Sequence, residues 1–153
     1  MKENYIITAC YYAKFPFIQK LGKDCTSKAI VGYFQKQFGE QGIPNKLVSD
    51  NGPQFSSTTF KQFAERWDFN HVTTSPHYAQ ANGFIERNIK TIKSILTKCK
   101  DTQTDTNLAL LCLRTTPISS SIPSPAELFY NRKIRGNLPV KIDNQINIKS
   151  TSS

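Results

Sequence analysis

With 153 residues, 38% of them apolar and 11% aromatic, the chain is long enough to close one hydrophobic core and too apolar for disorder throughout. Twenty basic against eleven acidic side chains give a formal charge of +9, which favours a polyanionic partner, nucleic acid before a membrane surface. The excess is uneven. Residues 1–76 hold nine basic and six acidic side chains, whereas 77–153 hold eleven and five, so a polyanion site is expected to draw mainly on the second half. No uncharged apolar run approaches the roughly 18 residues of a membrane span. The apolar stretch before Cys10 is too short for a secretory or lipoprotein signal, and Glu3 stands where such signals are positive. Cys10, Cys25, Cys99 and Cys112 contain no CxxC pair, and His71 and His77 are the only histidines. Scattered thiols of this kind fit a reducing compartment better than a tetrahedral zinc site.

In chain order, Tyr5–Ala9 and Phe15–Leu21 are apolar and rich in β-formers, and read as an antiparallel hairpin. Thr26 or Ser27 caps a helix carrying Ile30, Val31, Phe34 and Phe38, which Gly39 and Gly42 end. Lys46–Ser49 is a short buried strand, broken by Asp50-Asn51-Gly52-Pro53. Ser56 or Ser57 caps the next helix, with Phe60, Phe63, Ala64 and Trp67 at helical spacing, and Phe69–Thr73 makes another strand. A loop from Thr74 to about Asn82 leads into the longest helical pattern, ending near Lys98. Asn107–Leu113 is a further helix, and Ser124-Pro125 caps a short one over Ala126–Tyr130. From Lys141 the chain is polar and reads as a loose tail. Strands interleaved with helices give one mixed α/β domain over residues 4–139, with a tail over 140–153.

Two carboxylates stand out. Asp50 follows directly on a strand, where it emerges into a turn whose Asn51, Gly52 and Pro53 keep bulk away. Glu86 lies on the long helix, one position after an apolar stripe of Ile85, Ile89, Ile92, Leu96 and Cys99. Glu86, Lys90, Lys93 and Thr97 repeat the same steps on a stripe turned by about 100°. An acid in the first helical turn also suits the helix dipole. Carboxylates from a strand end and a helix suit hard divalent ions such as Mg2+. Two such ions roughly 3.5–4 Å apart activate a nucleophile and stabilise the leaving oxygen of a phosphodiester. The lysines would neutralise backbone phosphates. Spacing alone leaves a plainer reading open, a solvated face with a Glu86–Lys90 pair contributing a few tenths of a kcal/mol.

The residues themselves go further. Val48-Ser49-Asp50-Asn51-Gly52-Pro53-Gln54-Phe55 and Ser75-Pro76-His77-Tyr78-Ala79-Gln80-Ala81-Asn82-Gly83-Phe84-Ile85-Glu86-Arg87 closely resemble the integrase catalytic core of LTR retrotransposons, Ty3/Gypsy-like, and of retroviruses. That family uses an acidic triad whose last two members have 35 residues between them, as Asp50 and Glu86 do. The resemblance extends through Tyr11-Tyr12-Ala13-Lys14-Phe15-Pro16 and Ser124-Pro125-Ala126-Glu127-Leu128-Phe129, and covers about residues 4–139. It implies an RNase H-like fold, a five-stranded mixed sheet with helices on both faces. It also implies Mg2+- or Mn2+-dependent polynucleotidyl transfer, with Asp50 and Glu86 as catalytic metal ligands. Asn82 and Gly83 would close a mobile active-site loop, and Lys90 and Lys93 would touch element DNA. The implied partners are element ends, target DNA and further copies of the integrase, with no membrane; the implied location is the nucleus, with cytoplasm.

The chain departs from the family in three places. The first acid of the triad belongs on a central strand ten or more residues before Tyr5, where this sequence has four residues. Cys10 stands where relatives often carry a non-catalytic Asp, Glu3 fits the missing position poorly, and Ala79 replaces a usual proline. The expectation is a core lacking its central first strand, with unpaired edges on both neighbours. The functional reading is an integrase core fragment acting in DNA integration within the complete protein, and inactive alone. Its alternative is a catalytically dead nucleic-acid-binding or interaction module derived from such an element, and a nuclease with a different acid set is a third.

Overall fold

The structure is a computed structural model that describes residues 4–23, 25–74, 79–136 and 149, the side chains of residues 79–82 and 84 apart. β-rich Asn4–Ala9 (β1) and Pro16–Gly22 (β2) form a two-stranded sheet. The short connection between them is far below what a parallel crossover needs, so the pair is antiparallel. Cys10 N–H donates to the Phe15 carbonyl at 3.0 Å near the turn, and Asn4 Nδ2 donates to the Gly22 carbonyl at 3.0 Å at the far end.

Helix α1 (Ser27–Gln41) starts where the Thr26 hydroxyl accepts from Ala29 N–H. It stops at Gly42, whose φ of 94° lets its N–H reach the Phe38 carbonyl. Gly39 is carried inside the helix and does not end it. Lys46–Ser49 (β3) and Asn70–Thr73 (β4) pair in parallel, in register from Lys46↔Asn70 to Ser49↔Thr73. Helix α2 (Thr58–Trp67), capped by Ser57 through Phe60 N–H, is the crossover that a parallel pair requires. Three helices follow: α3 (Ala79–Thr102), α4 (Thr106–Thr115) and α5 (Pro125–Tyr130). Asp105 caps α4 and Ser124 caps α5, with Pro125 in the first turn where its missing N–H costs nothing.

The chain divides into two compact units, Met1–Thr8 with Phe17–Arg87 and Ala9–Pro16 with Asn88–Ser153. The first is built on rings. Ile30, Tyr33, Phe34 and Phe38 of α1 meet Phe60, Phe63 and Ala64 of α2, with Ile6 and Phe69 completing the buried cluster. Phe38 stacks on Phe63 at 6.0 Å between centroids, and Phe60 meets Phe55 edge-on at 5.3 Å. Leu21 from β2 and Leu47 from β3 pack on the same cluster, so both sheets of this unit share one core. The second unit buries Ala13, Phe15, Ile92, Cys99, Leu110 and Ala126. Arg114 joins its pieces, donating from Nε and Nη2 to the Pro16 carbonyl at 3.0 and 2.7 Å while lying 4.9 Å from the Phe15 ring centroid.

The architecture is α/β, with small sheets flanked by helices, as expected of a core without its central first strand, and it corrects two further expectations. The described residues hold two separate two-stranded sheets, and β1 and β3 do not pair. The strand that the resemblance places between them is not among these residues. β3 is not a buried strand: Lys46 and Val48 are exposed, Val48 at 47%, while Leu47 and Ser49 are half-buried. A strand with one paired edge and one covered face alternates in this way. In addition, α3 starts at Ala79 and places Asn82 and Gly83 in helix where a loop was expected. Ala79, Gln80 and Ala81 are good helix formers, and no proline stands at 79 to stop them. Residues 75–78 of the expected loop, Glu3, and the expected tail apart from Lys149 lie outside the described residues.

Candidate functional site

Asp50 is exposed immediately past β3. Its Oδ1 accepts from Gly52 N–H at 2.9 Å, an Asx turn that ends the strand and fixes the carboxylate beside the backbone. A Cβ at position 52 would lie 3.0 Å from both Asp50 Oδ1 and Gln54 Oε1, so a larger residue there would shift these side chains by a few tenths of an ångström. The turn closes with Phe55 and Ser56 N–H both donating to the Gly52 carbonyl, at 3.0 and 3.1 Å. A cleft of about 500 Å³ opens beside it, lined among others by Asn51, Phe55, Lys61, Glu65, His71 and Thr73.

Behind Asp50 runs a hydrogen-bond chain that was not anticipated. The Ser49 hydroxyl donates to the Asp50 carbonyl at 2.8 Å, so its one proton is committed there. It therefore accepts from His71 Nε2–H at 2.7 Å. His71 pairs in register with Leu47, two residues before Ser49, and its ring lies 4.7 Å from that of Phe60. Burial lowers the His71 pKa from the usual 6.5, because the charged imidazolium loses hydration. The unfolded chain thus binds the proton more readily than the folded one. The His71 contribution is present above pH 6.5 and is lost as pH falls through the lower folded value. Urea midpoints between pH 7.5 and 5.5 are expected to decline, and His71→Gln is expected to flatten that decline. The only sequence signal for this chain was the strand period of two, which puts Leu47 and Ser49 on one face.

Glu86 is the eighth residue of α3 and exposed. It lies beyond the first turn, where the dipole acts, so that expected stabilisation is absent. The two stripes are otherwise as the spacing predicts. Ile92 and Cys99 are buried and Ile85, Ile89 and Leu96 half-buried, while Glu86, Lys90, Lys93 and Thr97 are all exposed. Asp50 and Glu86 belong to the first compact unit; Lys90 and Lys93 follow on the same helix in residues assigned to the second. Gly83 is half-buried in α3, and Asn82 is placed by its backbone alone. The two carboxylates have the hard oxygen chemistry that Mg2+ takes. Among the described residues no group of three or more His, Cys, Asp or Glu side chains comes together.

No family model matches the chain. An uncharacterized protein of Caenorhabditis elegans is 32% identical over 121 residues, which is 76% of this chain and 10% of that protein. The Gag-Pro-Pol polyprotein of mouse mammary tumor virus (strain BR6) is 32% identical over 98 residues, 63% of this chain and 6% of the polyprotein. The chain thus spans a tenth or less of the length of these relatives. Among solved structures, the catalytic core domain of BIV integrase superposes with a TM-score of 0.73 at 18% identity, covering 85% of this chain and 87% of that one. The HTLV-2 integrase catalytic core domain, in complex with magnesium in a trimeric form, gives 0.64 at 20% identity over 83% and 93%. The chain thus shares its fold with retroviral integrase catalytic cores, and its sequence is similar to a part of retroviral Gag-Pro-Pol polyproteins.

Proposed function

We propose that the chain supplies Asp50 and Glu86 as Mg2+ (or Mn2+) ligands, and Lys90 and Lys93 as phosphate contacts, for DNA integration by a longer protein. The observation that carries this is that a turn-held, exposed carboxylate at a strand end and an exposed carboxylate in the part of α3 before Asn88 both fall in the first unit. When bound, a divalent ion supplies an activated nucleophile and charge neutralisation at a phosphodiester. The chain's own part is positional. Gly52 N–H orients the Asp50 carboxylate, Ser49 and His71 hold the strand end behind it, and α3 fixes the distance from Glu86 to the two ammonium groups. Asn82 and Gly83, at the start of α3, would border element DNA. Self-association is supported by the trimeric form of the HTLV-2 domain, and action on DNA would call for a location in the nucleus, with cytoplasm. A second reading, a nucleic-acid-binding module without chemistry, is favoured by the missing third ligand among the described residues.

DNA binding through the lysines is expected to be non-specific and salt-sensitive. If each neutralises one phosphate, Lys90→Ala with Lys93→Ala should flatten the plot of log K against log salt by roughly two units. Fluorescence anisotropy with a labelled duplex at several salt concentrations measures it. An unchanged slope would move the duplex footprint off α3.

A further inference from the structure

We propose that the β1–β2 hairpin tip is a binding surface for single-stranded nucleic acid, with Tyr11 and Tyr12 stacking on unpaired bases. The tip inverts the usual order of burial. Ala13 is 0% exposed and Phe15 is buried, whereas the much larger Tyr11 and Tyr12 are 67% and 76% exposed. A folding requirement alone would turn the large rings inward and leave the methyl outside. The backbone is built to do the opposite. Lys14 N–H donates to the Cys10 carbonyl at 2.7 Å, Cys10 N–H donates to Phe15, and Lys14 holds a φ of 58°, a conformation that non-glycine residues adopt only when their surroundings impose it. The two residues flanking Lys14 are buried in the second unit, and both tyrosines are left exposed.

Charge selects the partner. Lys14 Nζ lies 4.1 Å from the Tyr11 ring centroid, so an ammonium accompanies the exposed rings. Phe15, directly after the tip, stacks on Phe129 at 4.8 Å and meets Tyr130 edge-on at 5.6 Å. The segment that follows α5 carries exposed Arg132, Lys133 and Arg135, with Arg132 Cζ 5.8 Å from the Tyr130 ring centroid. Residues 9–16 and 88–136 of this unit together hold nine basic and three acidic side chains. Exposed aromatic rings among cations match bases and phosphates together. Paired and stacked bases offer a protruding ring no face, so the partner is a strand whose bases are unpaired.

This inference rests on the nucleic-acid reading of the second unit, but not on the Asp50–Glu86 site. The test is fluorescence anisotropy of the full chain with a labelled 20-nucleotide oligo-dT and a 20-base-pair duplex, at fixed salt. Tyr11→Ala with Tyr12→Ala is expected to weaken oligo-dT binding at least about tenfold, since base–aromatic stacking is worth that much per base. Duplex binding should stay within twofold, and Tyr11→Phe with Tyr12→Phe should retain oligo-dT binding. Unchanged thermal melting of each variant shows that the fold is intact, as expected for exposed positions. Loss of oligo-dT and duplex binding in equal measure, or no loss, overturns the stacking surface while leaving the lysine contacts of α3 in place. Failure of the unsubstituted chain to bind either probe overturns both readings.

Discussion

Incubated with Mg2+ or Mn2+ and oligonucleotides representing element ends and target DNA, this chain is expected to join no strands above background. In-line displacement requires the attacking and leaving oxygens to be held together, and a two-ion site needs a carboxylate that bridges both ions. The proposed site has two carboxylates, Asp50 and Glu86, and among the described residues no group of three or more His, Cys, Asp or Glu side chains comes together. Groups that act as a unit fail as a unit; deletion of one member of such a set costs on the order of 10⁴-fold or more. Fusing an Asp-bearing strand ahead of Asn4 should restore joining, because β1 and β3 each pair on one edge only among the described residues. Glu86→Gln in that extended chain should return the rate to background. Robust joining by the chain as given, abolished by Glu86→Gln, would place the third acid elsewhere in the sequence.

Phe60→Ala is expected to be the most damaging single truncation in the first unit. The ring is fully buried and lies within 4.7 to 6.5 Å, centroid to centroid, of Phe34, Phe55, Phe63, Phe69 and His71. Removing a buried phenyl group costs about 3–5 kcal/mol in lost transfer energy and cavity, and edge-on partners add to it. Against a total of about 5–15 kcal/mol for an ordinary domain, the variant should melt well below the parent or fail to fold at ambient temperature. Circular dichroism melts and urea titration measure this, with Phe60→Leu expected to retain most of the loss. His71 loses its ring neighbour in the same variant, so the strand end carrying Asp50 should loosen together with the core.

Local order was legible in the sequence wherever one residue decides it. Thr26, Ser57 and Ser124 cap the helices that their positions announce, because a hydroxyl one step before a helix satisfies an otherwise orphaned N–H. The two stripes of α3 are legible for a similar reason: a period of 3.6 sorts Ile92 and Cys99 inward and Glu86, Lys90 and Lys93 outward whatever the helix packs against. Asp50 at a strand end follows from Asn51, Gly52 and Pro53, which no strand accommodates, and the interval from Asp50 to Glu86 carried the family resemblance.

Other features depend on residues far apart in the chain. Whether Lys46–Ser49 is buried on both faces depends on which strands flank it, and the pairing of β1 with β2 and β3 with β4 into separate sheets leaves Val48 half-exposed. The hydrogen-bond chain from His71 through Ser49 to the Asp50 carbonyl joins β4 to β3 across 22 positions and exists only because the two strands align in register. Tyr11 and Tyr12 lie between the two strands read from the sequence; that they are exposed while Ala13 and Phe15 are buried, Phe15 against Phe129 and Tyr130, is a matter of tertiary packing. Propensity and periodicity act over a few residues, so the sequence by itself determined caps, turns and helix faces. Edges, registers and exposed rings depend on which surface arrives opposite, and only the tertiary structure decided those.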